Sequence, residues 1–482
     1  MLKDTKVFTY ETRISSSEKA SLALDAFGKL YGVMERSLFQ DILGKRSLND
    51  LKSHYILCFG VTARHFNGCY KLLQGKIESI EQSRLLEMER CKEKVAALSK
   101  KVPKIKEAAV KHHKTRALNR VKERLKALEK EKEEGPISLC FGGRKLFYAQ
   151  FHLEENGYAS FEEWKQDWEA ARSSEFFCIG SKDETAGNQS CVLIPQGEGF
   201  VAKLRLPDAL AEYGKHVSFF LTFPDHGAQE IKKALAHHQA LSYRFKKDKK
   251  GWRVFVSFER ERAPTITSKS TGAIGIDINV NHIALTEIDA KGNPIDKKTY
   301  PLCCYGKTTD QSKALIGDVV KEIVQHAKEK QKPIVCERLD FKKKKVSLKE
   351  EIHWKARMLS SFHYSSFLEC LDRKTFQEGV ALYAVNPAMT SVIGKMKFAV
   401  RYGLSGHHGA ALAIARRHFH FSEAPSQCIR VIHKCFHVTI SLPAWNRQMH
   451  VWGRWRKASA KLKAALAALS RASPVPQKCA SG

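Results

Sequence analysis

The sequence predicts a multidomain α+β protein, in which a helical lobe precedes a β-barrel and an α/β domain comes last. Three observations support this fold class. Residues 18–135 hold a single proline and show apolar stripes at helical spacing. Residues 137–258 contain short apolar runs that are divided by glycine and polar turns. Beyond residue 270, apolar strands that end in carboxylates alternate with an amphipathic helix.

The N-terminal segment predicts one strand followed by helices. Residues 6–14 alternate like a strand, and the serines at 15–17 before Glu18 are typical of a helix start. Lysine and arginine crowd the last helices of this lobe, which is typical of a solvated helical hairpin or of an arm that grips a polyanion. The predicted helices cover 20–39, 51–73 and a charged pair over 77–134 that is broken at Pro103.

Short β-like runs follow, and they predict a β-barrel or sandwich that the N-terminal strand joins. One amphipathic piece at 161–172 interrupts the runs. Basic side chains decorate this region, as they do many protein surfaces. The predicted strands are ISLCFG, LFYAQFHL, FFCIGS, CVLIP, VSFFLTF and WRVFVSFE.

The net charge of the chain indicates which class of partner it binds. Lysine and arginine outnumber aspartate and glutamate by 82 to 51, which gives a formal net charge of +31. Because such an excess repels itself unless a polyanion neutralises it, nucleic acid is the leading partner. No long apolar run, signal-peptide pattern or lipid-anchor motif supports a membrane protein.

Cysteine usage indicates the compartment. The 13 cysteines include no CxxC pair, and only Cys303 and Cys304 are neighbours. This spacing is typical of reduced thiols in the cytoplasm, and it argues against both a disulfide scaffold and a structural zinc site.

The C-terminal half places carboxylates at strand ends. A predicted strand over 273–276 ends in Asp277, and a second over 333–336 ends in Glu337. A helix with apolar positions over 315–327 lies between them. Because a lone carboxylate is costly to bury without a positive partner, a divalent metal is the natural partner of these two acids. This order of strand, helix and strand is typical of an RNase H-like nuclease that works with two metal ions.

A third ligand is expected at the start of a helix that follows another strand. The strand is predicted at 380–385 and the helix at 409–417. His407 and His408 stand at the start of this helix, although a helix N-terminus favours an anion such as aspartate. A neutral imidazole is able to ligate a divalent ion or to act as a general base, and the alternative is that His407 only caps the helix. Other acids in this region are Glu369, Asp372 and Glu423, none of which ends a predicted strand.

Four segments carry a resemblance to a known family, namely GIDIN at 275–279, ERLDFKKKK at 337–345, VNPAMTS at 385–391 and HHGAALAIARR at 407–417. They resemble the RuvC segments of TnpB proteins and of the related type V CRISPR effectors. The resemblance implies a helical recognition lobe, a β-barrel wedge domain and an RNase H-like (RuvC) α/β nuclease domain. The implied bounds are 1–17 and 136–268 for the wedge domain, 18–135 for the recognition lobe, 269–425 for the nuclease domain and 426–482 for a basic C-terminal extension with a disordered end.

The resemblance also implies a site. Asp277 matches the first aspartate of the family, which bridges both metals, and Glu337 matches the glutamate of the second motif. His407 falls on the position of the third-motif aspartate. The implied cofactor is Mg²⁺, with Mn²⁺ as the other candidate. Most members carry a four-cysteine zinc ribbon before the third motif, but residues 392–405 contain no cysteine, so no zinc site is expected and this element is predicted to be lost or reduced to a loop.

Three functions remain open at this point. The first is an RNA-guided DNA endonuclease, whose partners are a guide RNA and double-stranded target DNA with a short flanking motif. The second is an RNA-guided DNA-binding protein that does not cut, which the missing aspartate motivates. The third is a transposase, which the large basic lobes before the catalytic segment do not favour. The expected location is the prokaryotic cytoplasm, in association with the nucleoid and with no membrane partner, and the number of chains that bind one target is left open.

The basic residues predicted to bind nucleic acid lie in three segments. Lysines crowd the run that follows the second carboxylate, and two arginines end the helix at 409–417. In the C-terminal extension, Trp445, Trp452 and Trp455 alternate with arginines before a predicted helix at 458–469, which is typical either of base stacking or of a small hydrophobic cap. The predicted nucleic-acid contacts are Lys342, Lys343, Lys344, Lys345, Arg416, Arg417, Arg454 and Arg456.

Overall fold

The computed structural model divides the chain into two compact units, Met1–Arg260 and Glu261–Gly482. The predicted boundary between residues 268 and 269 lies inside the second unit. No helix in the described ranges carries an apolar run long enough to cross a bilayer. The lysines at 342–345 lie outside those ranges, as do the residues from 473 onward. The structure describes residues 5–15, 17–44, 46–133, 135, 137–338, 364–433, 436–444 and 449–472.

Helices follow the first strand of the first unit, as predicted. The segment 51–73 was expected to be one helix, and this prediction is wrong because a new helix begins after Thr62. The Thr62 side chain accepts a hydrogen bond from the backbone N–H of His65, and the His65 ring accepts one from the backbone N–H of Thr62. The elements are β1 (Thr5–Ser15), α1 (Glu18–Leu43), α2 (Leu48–Phe59), α3 (Ala63–Lys101) and α4 (Ala108–Glu133).

A seven-stranded sheet and three shorter helices form the rest of the first unit. They are α5 (Arg144–Ala149), α6 (Phe161–Arg172), β2 (Glu175–Cys178), β3 (Cys191–Gln196), β4 (Gly199–Arg205), β5 (His216–Leu221), α7 (Asp225–Ala236), β6 (Ser242–Asp248) and β7 (Gly251–Glu261). The strand order is β2-β6-β7-β1-β5-β4-β3, so the N-terminal strand joins the sheet as predicted. The predicted closed barrel is not formed by the described residues, because β2 and β3 end this order without pairing to each other.

Two of the predicted strands in this unit are wrong. Residues 137–142 form no strand, and residues 146–149 of the next run lie in α5. A short apolar run does not by itself distinguish a strand from a packed helical turn. Packing decides here, because Trp164 of α6 is buried and its Nε1 donates a hydrogen bond to the Leu146 carbonyl oxygen at 2.8 Å, which fixes α5 against α6.

A five-stranded sheet organises the second unit, with the order β10-β9-β8-β11-β12. Its elements are β8 (Ala273–Ile278), β9 (His282–Ile288), β10 (Pro294–Pro301), α8 (Thr309–Glu329), β11 (Ile334–Glu337), α9 (Tyr364–Glu378) and β12 (Leu382–Val385). The first three strands form an antiparallel meander, whereas β11 runs parallel to both β8 and β12. Strand β10 was not predicted, because its exposed and charged side chains leave little apolar alternation to read.

The remaining part of the second unit contains more regular structure than predicted. The elements are α10 (Thr390–Ile393), a π-helical turn (Gly394–Phe398), α11 (Ala399–Tyr402), α12 (Gly406–His418), β13 (Cys428–His433), β14 (Phe436–Ser441) and α13 (Val451–Ala472). The loop expected over 392–405 is therefore largely helical, and part of the basic extension forms an antiparallel hairpin. Helix α13 begins seven residues before its predicted start at 458.

Helices cover both faces of the five-stranded sheet. On one face, Ile274 and Ile276 of β8 share an apolar core with buried side chains of α8 and α9. On the other face, Ala273 of β8 and Val335 of β11 share a core with α12 and with α13. Alternation along β8 and β11 therefore fixes which side chains point toward α12.

Candidate active site

Strand register brings the two predicted carboxylates to neighbouring positions. In the parallel pair β8 and β11, Ile334 lies opposite Ile274 and Val335 lies opposite Gly275. Extended by two residues along each strand, this register puts Glu337 opposite Asp277. Strands pair at about 4.8 Å, and side chains of the same alternation share one face, so both acids belong to the face that α12 covers. Asp277 is 8% exposed at this edge of the sheet.

Close packing of α12 on β8 depends on Gly275. A Cβ at this position would overlap the carbonyl oxygen of Ala411 and would lie 2.9 Å from the Cβ of Ala415. The hydroxyl of Thr286 in β9 also donates a hydrogen bond to the His408 carbonyl oxygen at 2.8 Å. These contacts set the first turn of α12 above the carboxylate edge of the sheet.

His407 occupies that first turn and contacts Asp277. Helix α12 begins after Ser405, whose side chain accepts a hydrogen bond from the backbone N–H of His408 at 3.2 Å. The His407 Nδ1 lies 3.1 Å from the Asp277 Oδ2. Because a carboxylate oxygen accepts, Nδ1 donates, and the Nε2 of a neutral ring carries the lone pair. The hydrogen bond to Asp277 raises the pKa of His407, against the lowering effect of burial.

His408 has a different environment from His407. Its Nε2 lies 3.1 Å from the Lys298 carbonyl oxygen, and its Nδ1 lies 2.7 Å from the Ser405 hydroxyl. A carbonyl oxygen only accepts, so Nε2 carries the proton. Burial lowers the pKa of His408, which keeps the ring neutral. Of the two histidines at this helix start, only His407 faces the predicted site.

Two further side chains surround Asp277. The Asn279 Nδ2 donates to the same Asp277 Oδ2 at 3.0 Å. The His282 ring lies 4.9 Å from the His407 ring in an edge-on arrangement. Burial, and then the nearby His407, lower the pKa of His282. Asn279 and His282 lie at the turn between β8 and β9. Polar residues are common in turns, so the sequence alone did not mark either side chain as part of the site.

Glu337 is held by the segment that follows β12. The Thr390 hydroxyl donates a hydrogen bond to the Glu337 carboxylate, and it also lies 3.0 Å from the Pro387 carbonyl oxygen. Met389, the residue before α10, adopts a left-handed φ of 63°. The predicted VNPAMTS motif therefore acts on the site through Thr390, although its own side chains include no metal-ligating carboxylate.

Tyr364 is a site residue that sequence reasoning missed. Burial raises the pKa of its hydroxyl, and the charges of Glu337, Cys336 and Asp277 raise it further, in that order. Tyr364 thus lies within electrostatic range of both predicted carboxylates. It opens α9 after 25 residues that the structure does not describe, so neither a motif nor a strand end marked it.

The ligand atoms of Asp277, Glu337 and His407 do not all lie within 4.8 Å of one another. A distance of 4.8 Å between all ligand atoms is the spacing expected around one ion. In a two-metal site the ions lie about 4 Å apart, so ligands of different ions are farther from each other, and these three residues still fit such a site. The donor set fits hard divalent ions, because two carboxylates belong to one sheet face and the His407 side chain beside them is 53% exposed. In such a site, Asp277, Glu337 and His407 would hold the metal.

Another group of possible ligands does meet the closer spacing in the described part of the chain, namely Glu287, Asp296 and His326. Lysine ammonium groups already contact two members of this group. The Lys332 Nζ donates to Glu287 at 2.6 Å, and the Lys298 Nζ lies 3.2 Å from the His326 Nδ1. Because the Lys332 ammonium would have to leave before a divalent ion bound Glu287, the donor set does not fit a metal. Glu287, His326 and Lys332 are buried, whereas Asp296 is exposed.

Of the other acids considered as a third ligand, Glu423 is already paired with two cations. Glu423 is 8% exposed, and its carboxylate accepts hydrogen bonds from Lys397 and from the Nε of Arg416, the latter at 2.6 Å. Burial opposes ionisation of Glu423, but these two hydrogen bonds outweigh it and lower the pKa. Glu369 and Asp372 both lie on the exposed side of α9.

The predicted nucleic-acid contacts in α12 make internal contacts. The Arg416 Nη1 donates to the Gly292 carbonyl oxygen at 2.6 Å, and its guanidinium lies 4.4 Å from the Phe421 ring centroid. Arg417 donates to the carbonyl oxygens of Asn386 and Ala388, the latter at 2.8 Å. These contacts position the segment after β12, and nucleic-acid binding by the two arginines stays a prediction.

The C-terminal extension contributes a cap to the core of the second unit. Trp455 is fully buried, and its Nε1 donates to the Glu423 carbonyl oxygen at 2.6 Å. This favours the hydrophobic cap over base stacking for Trp455. The Arg454 Nε donates to the Met449 carbonyl oxygen at 3.1 Å, whereas Arg456 is exposed. Trp445 lies outside the described residues, together with Lys342–Lys345.

Comparison with known proteins gives limited information. No protein-family model matches the chain, and no curated protein matches it. Among solved structures, a cryo-EM structure of a Cas12f1–sgRNA–target DNA complex matches with a TM-score of 0.39 and 13% identity, over 86% of this chain and 99% of that chain. A crystal structure of a Cas12i1 R-loop complex before target DNA cleavage matches with a TM-score of 0.16 and 10% identity, over 64% of this chain and 37% of that chain. Similarity at these TM-scores carries no argument about fold, activity or partners.

Proposed function

We propose that the chain is an RNA-guided DNA endonuclease with a RuvC-like site made of Asp277, Glu337 and His407. One observation carries the nuclease part of this proposal. The paired strands β8 and β11 bring two carboxylates to adjacent positions on one sheet face, and the first turn of α12 brings an imidazole to 3.1 Å from one of them. Three segments far apart in the sequence thus supply polar side chains to one edge of the sheet.

Each of the three side chains has a role in the proposed reaction. When bound, divalent ions activate water and stabilise the departing oxyanion of a phosphodiester. Asp277 and Glu337 offer the hard oxygen ligands that Mg²⁺ and Mn²⁺ prefer. His407, oriented by Asp277 through Nδ1, presents Nε2 either as a ligand or as the group that takes a proton from the attacking water. Imidazole suits transition ions better than Mg²⁺, which favours Mn²⁺ if His407 ligates directly.

The guided part of the proposal rests on sequence. The GIDIN, ERLDFKKKK, VNPAMTS and HHGAALAIARR segments resemble those of RNA-guided nucleases, and a net charge of +31 requires a polyanionic partner. On this basis, a guide RNA supplies sequence recognition by base pairing, and the protein reads a short motif in the flanking duplex of the target DNA.

A second candidate is an RNA-guided DNA-binding protein that does not cut. The specific observation in its favour is that the site's polar atoms are already paired within the protein. The Asp277 Oδ2 accepts from both His407 and Asn279, and Glu337 accepts from Thr390. If these contacts persist in the complex, they compete with metal binding.

Cleavage of a guide-matched plasmid decides between the two candidates. The protein is purified with its RNA, the RNA is sequenced to obtain the guide, and cleavage is measured in Mg²⁺ and in Mn²⁺. We expect Asp277→Ala to abolish cleavage and to lower the rate by about a thousandfold or more, while RNA and target binding persist. Replacing the exposed His112 by alanine serves as the matched control, with no expected effect.

Two variants of His407 separate its possible roles. His407→Asp restores the residue type of the family and suits a helix N-terminus, so it should retain Mg²⁺-dependent cleavage. His407→Ala should lose cleavage if the imidazole is a ligand or a base, and should keep it if His407 only caps the helix. A complex that binds its target but cuts in neither ion would refute the nuclease and leave the non-cutting candidate.

A further inference from the structure

A cleft of about 460 Å³ in the first unit combines aromatic rings with arginines. It lies among the segment 138–148, α6 and Arg36 of α1, and it involves no residue of the candidate active site. Its volume falls within the range of about 300–1,000 Å³ that is typical of small-ligand sites. The residues that argue for its ligand are Phe147, Tyr148, Trp168, Arg36, Arg144 and Arg172.

The aromatic rings form an exposed surface on a rigid base. Tyr148 is 61% exposed and Phe147 is 37% exposed, although both are large apolar side chains. The Phe147 ring lies 5.7 Å from the Trp168 ring, which in turn stacks on the buried Trp164 at 5.9 Å and 15°. Gly142, with φ at 87°, passes directly over Trp168, where a Cβ would come within 2.9 Å of the ring. Exposed rings with fixed neighbours are pre-organised for a flat partner.

The arginines give the cleft a positive charge. The Arg172 guanidinium lies 5.0 Å above the Trp168 ring, and the Arg36 Nη1 donates to the Arg172 carbonyl oxygen at 3.4 Å. Burial, and then the like charge of Arg172, lower the pKa of Arg36. Arg144 makes no hydrogen bond or ion pair with any described residue, and no carboxylate lines the cleft. Two carboxylates act on Arg36 in the opposite direction, those of Glu35 and of the exposed Glu169 in α6.

We propose that this cleft binds one unpaired nucleotide of a single-stranded nucleic acid, with the base stacked on Tyr148 and bordered by the Phe147 ring, which lies at 74° to the Tyr148 ring, and with the phosphate held by Arg144 and Arg172. Base stacking on aromatic rings together with guanidinium contacts to phosphate is the chemistry by which proteins hold single strands. The three arginines favour this ligand over an apolar peptide, because a peptide would leave their charges unpaired. The proposal is independent of the nuclease site and stands or falls separately from it.

The test uses the full chain after removal of co-purified nucleic acid. Short single-stranded RNA and DNA that carry one 2-aminopurine are titrated separately, since stacking quenches the fluorescence of this base. We expect Tyr148→Ala to lower affinity by about 5- to 100-fold and to weaken the quenching, whereas Tyr148→Phe keeps both. Arg144→Gln should reduce the slope of log affinity against log salt by about 0.7, the value for one lost phosphate contact. If these variants weaken the binding of RNA more than that of DNA, the bound nucleotide belongs to RNA, and the reverse result assigns it to DNA.

Two matched variants act as controls. Tyr305→Ala removes a tyrosine that is 62% exposed in the second unit, and Lys145→Gln removes an exposed charge from α5 outside the cleft lining. Photo-crosslinking with a thiolated base should label the peptide that contains Tyr148. The proposal is overturned if Tyr148→Ala binds both strands like wild type, if Tyr305→Ala causes an equal loss, or if the crosslinks map away from residues 138–172.

Discussion

Replacement of Gly275 by alanine tests whether the packing of α12 on β8 positions the candidate site. The new Cβ would lie 2.9 Å from the Cβ of Ala415, whereas carbon atoms in contact keep about 3.5 Å or more. It would also overlap the Ala411 carbonyl oxygen, which is backbone and is unable to rotate away. Helix α12 must therefore move outward by at least about 0.6 Å.

That movement should break the contact between Asp277 and His407. Their 3.1 Å separation would grow to about 3.7 Å, beyond the range of a hydrogen bond. Overpacking of this kind costs about 1–3 kcal/mol of unfolding free energy. We expect Gly275→Ala to lower the free energy of unfolding, measured by urea denaturation, by that amount and to reduce cleavage by the guided complex, with RNA binding retained.

Gly317→Ala is the matched control, because a Cβ there meets no atom within 4 Å. Gly317 lies in α8, where alanine should add up to about 1 kcal/mol of stability. If Gly275→Ala is as stable as Gly317→Ala, the close approach of α12 to β8 is not what holds the first turn over Asp277, and the reasoning about the site geometry fails.

Three further predictions concern buried charge. Burial lowers the pKa of His65 from 6.5 to about 4, so between these values the unfolded chain binds a proton that the folded ring excludes, and the free energy of unfolding should fall by up to about 3 kcal/mol as the pH falls through this window. Urea unfolding at several pH values should show a smaller loss in His65→Gln than in wild type, and the remainder includes the contribution of His418, whose pKa burial also lowers to about 4. Glu423→Gln should cost about 3 kcal/mol, because it leaves Lys397 and Arg416 without their shared carboxylate. Lys332→Met should cost about 3–5 kcal/mol, since Glu287 is 3% exposed and loses its 2.6 Å partner, and adding Glu287→Gln should recover much of that loss.

Each of these has an outcome that contradicts it. An unchanged pH dependence in His65→Gln would show that another group drives acid destabilisation. Glu369→Gln, which alters an exposed acid of the same unit, should be neutral, and equal effects of Glu423→Gln and Glu369→Gln would argue against the ion-pair account. A double variant of Lys332 and Glu287 that is no more stable than Lys332→Met alone would show that the buried charge is not the cause.

The strand ends of the second unit were readable because their signal is local. A hydrophobic run that stops at Asp277 or Glu337 carries its own evidence of burial and of a costly charge. The alanines at 410–415 also predicted the packing face of α12, but the helix begins at Gly406 rather than at the predicted 409, because the capping role of Ser405 was not recognised. In the first unit, the long charged helices and the N-terminal strand had equally local patterns.

Other features depend on contacts between distant segments. The segment with Phe147 and Tyr148 was predicted to be a strand, but it is helical, and the Trp164 side chain packs against it and donates a hydrogen bond to the Leu146 carbonyl oxygen. Arg416 reads as a free cation, but Glu423 and Gly292 occupy its donors. Tyr364 has no motif around it and enters the site only because α9 packs against the sheet.

By itself, the sequence determined the excess of positive charge, the order of the elements around the candidate site and the identity of its two carboxylates, because charge and periodicity are properties of short segments. Only the tertiary structure decided that Asp277 and Glu337 are neighbours, that His407 rather than His408 faces them, and that several predicted basic contacts are internal. Strand register, helix approach and ion pairing join residues that are many positions apart, and no local pattern encodes which of the possible partners each side chain meets.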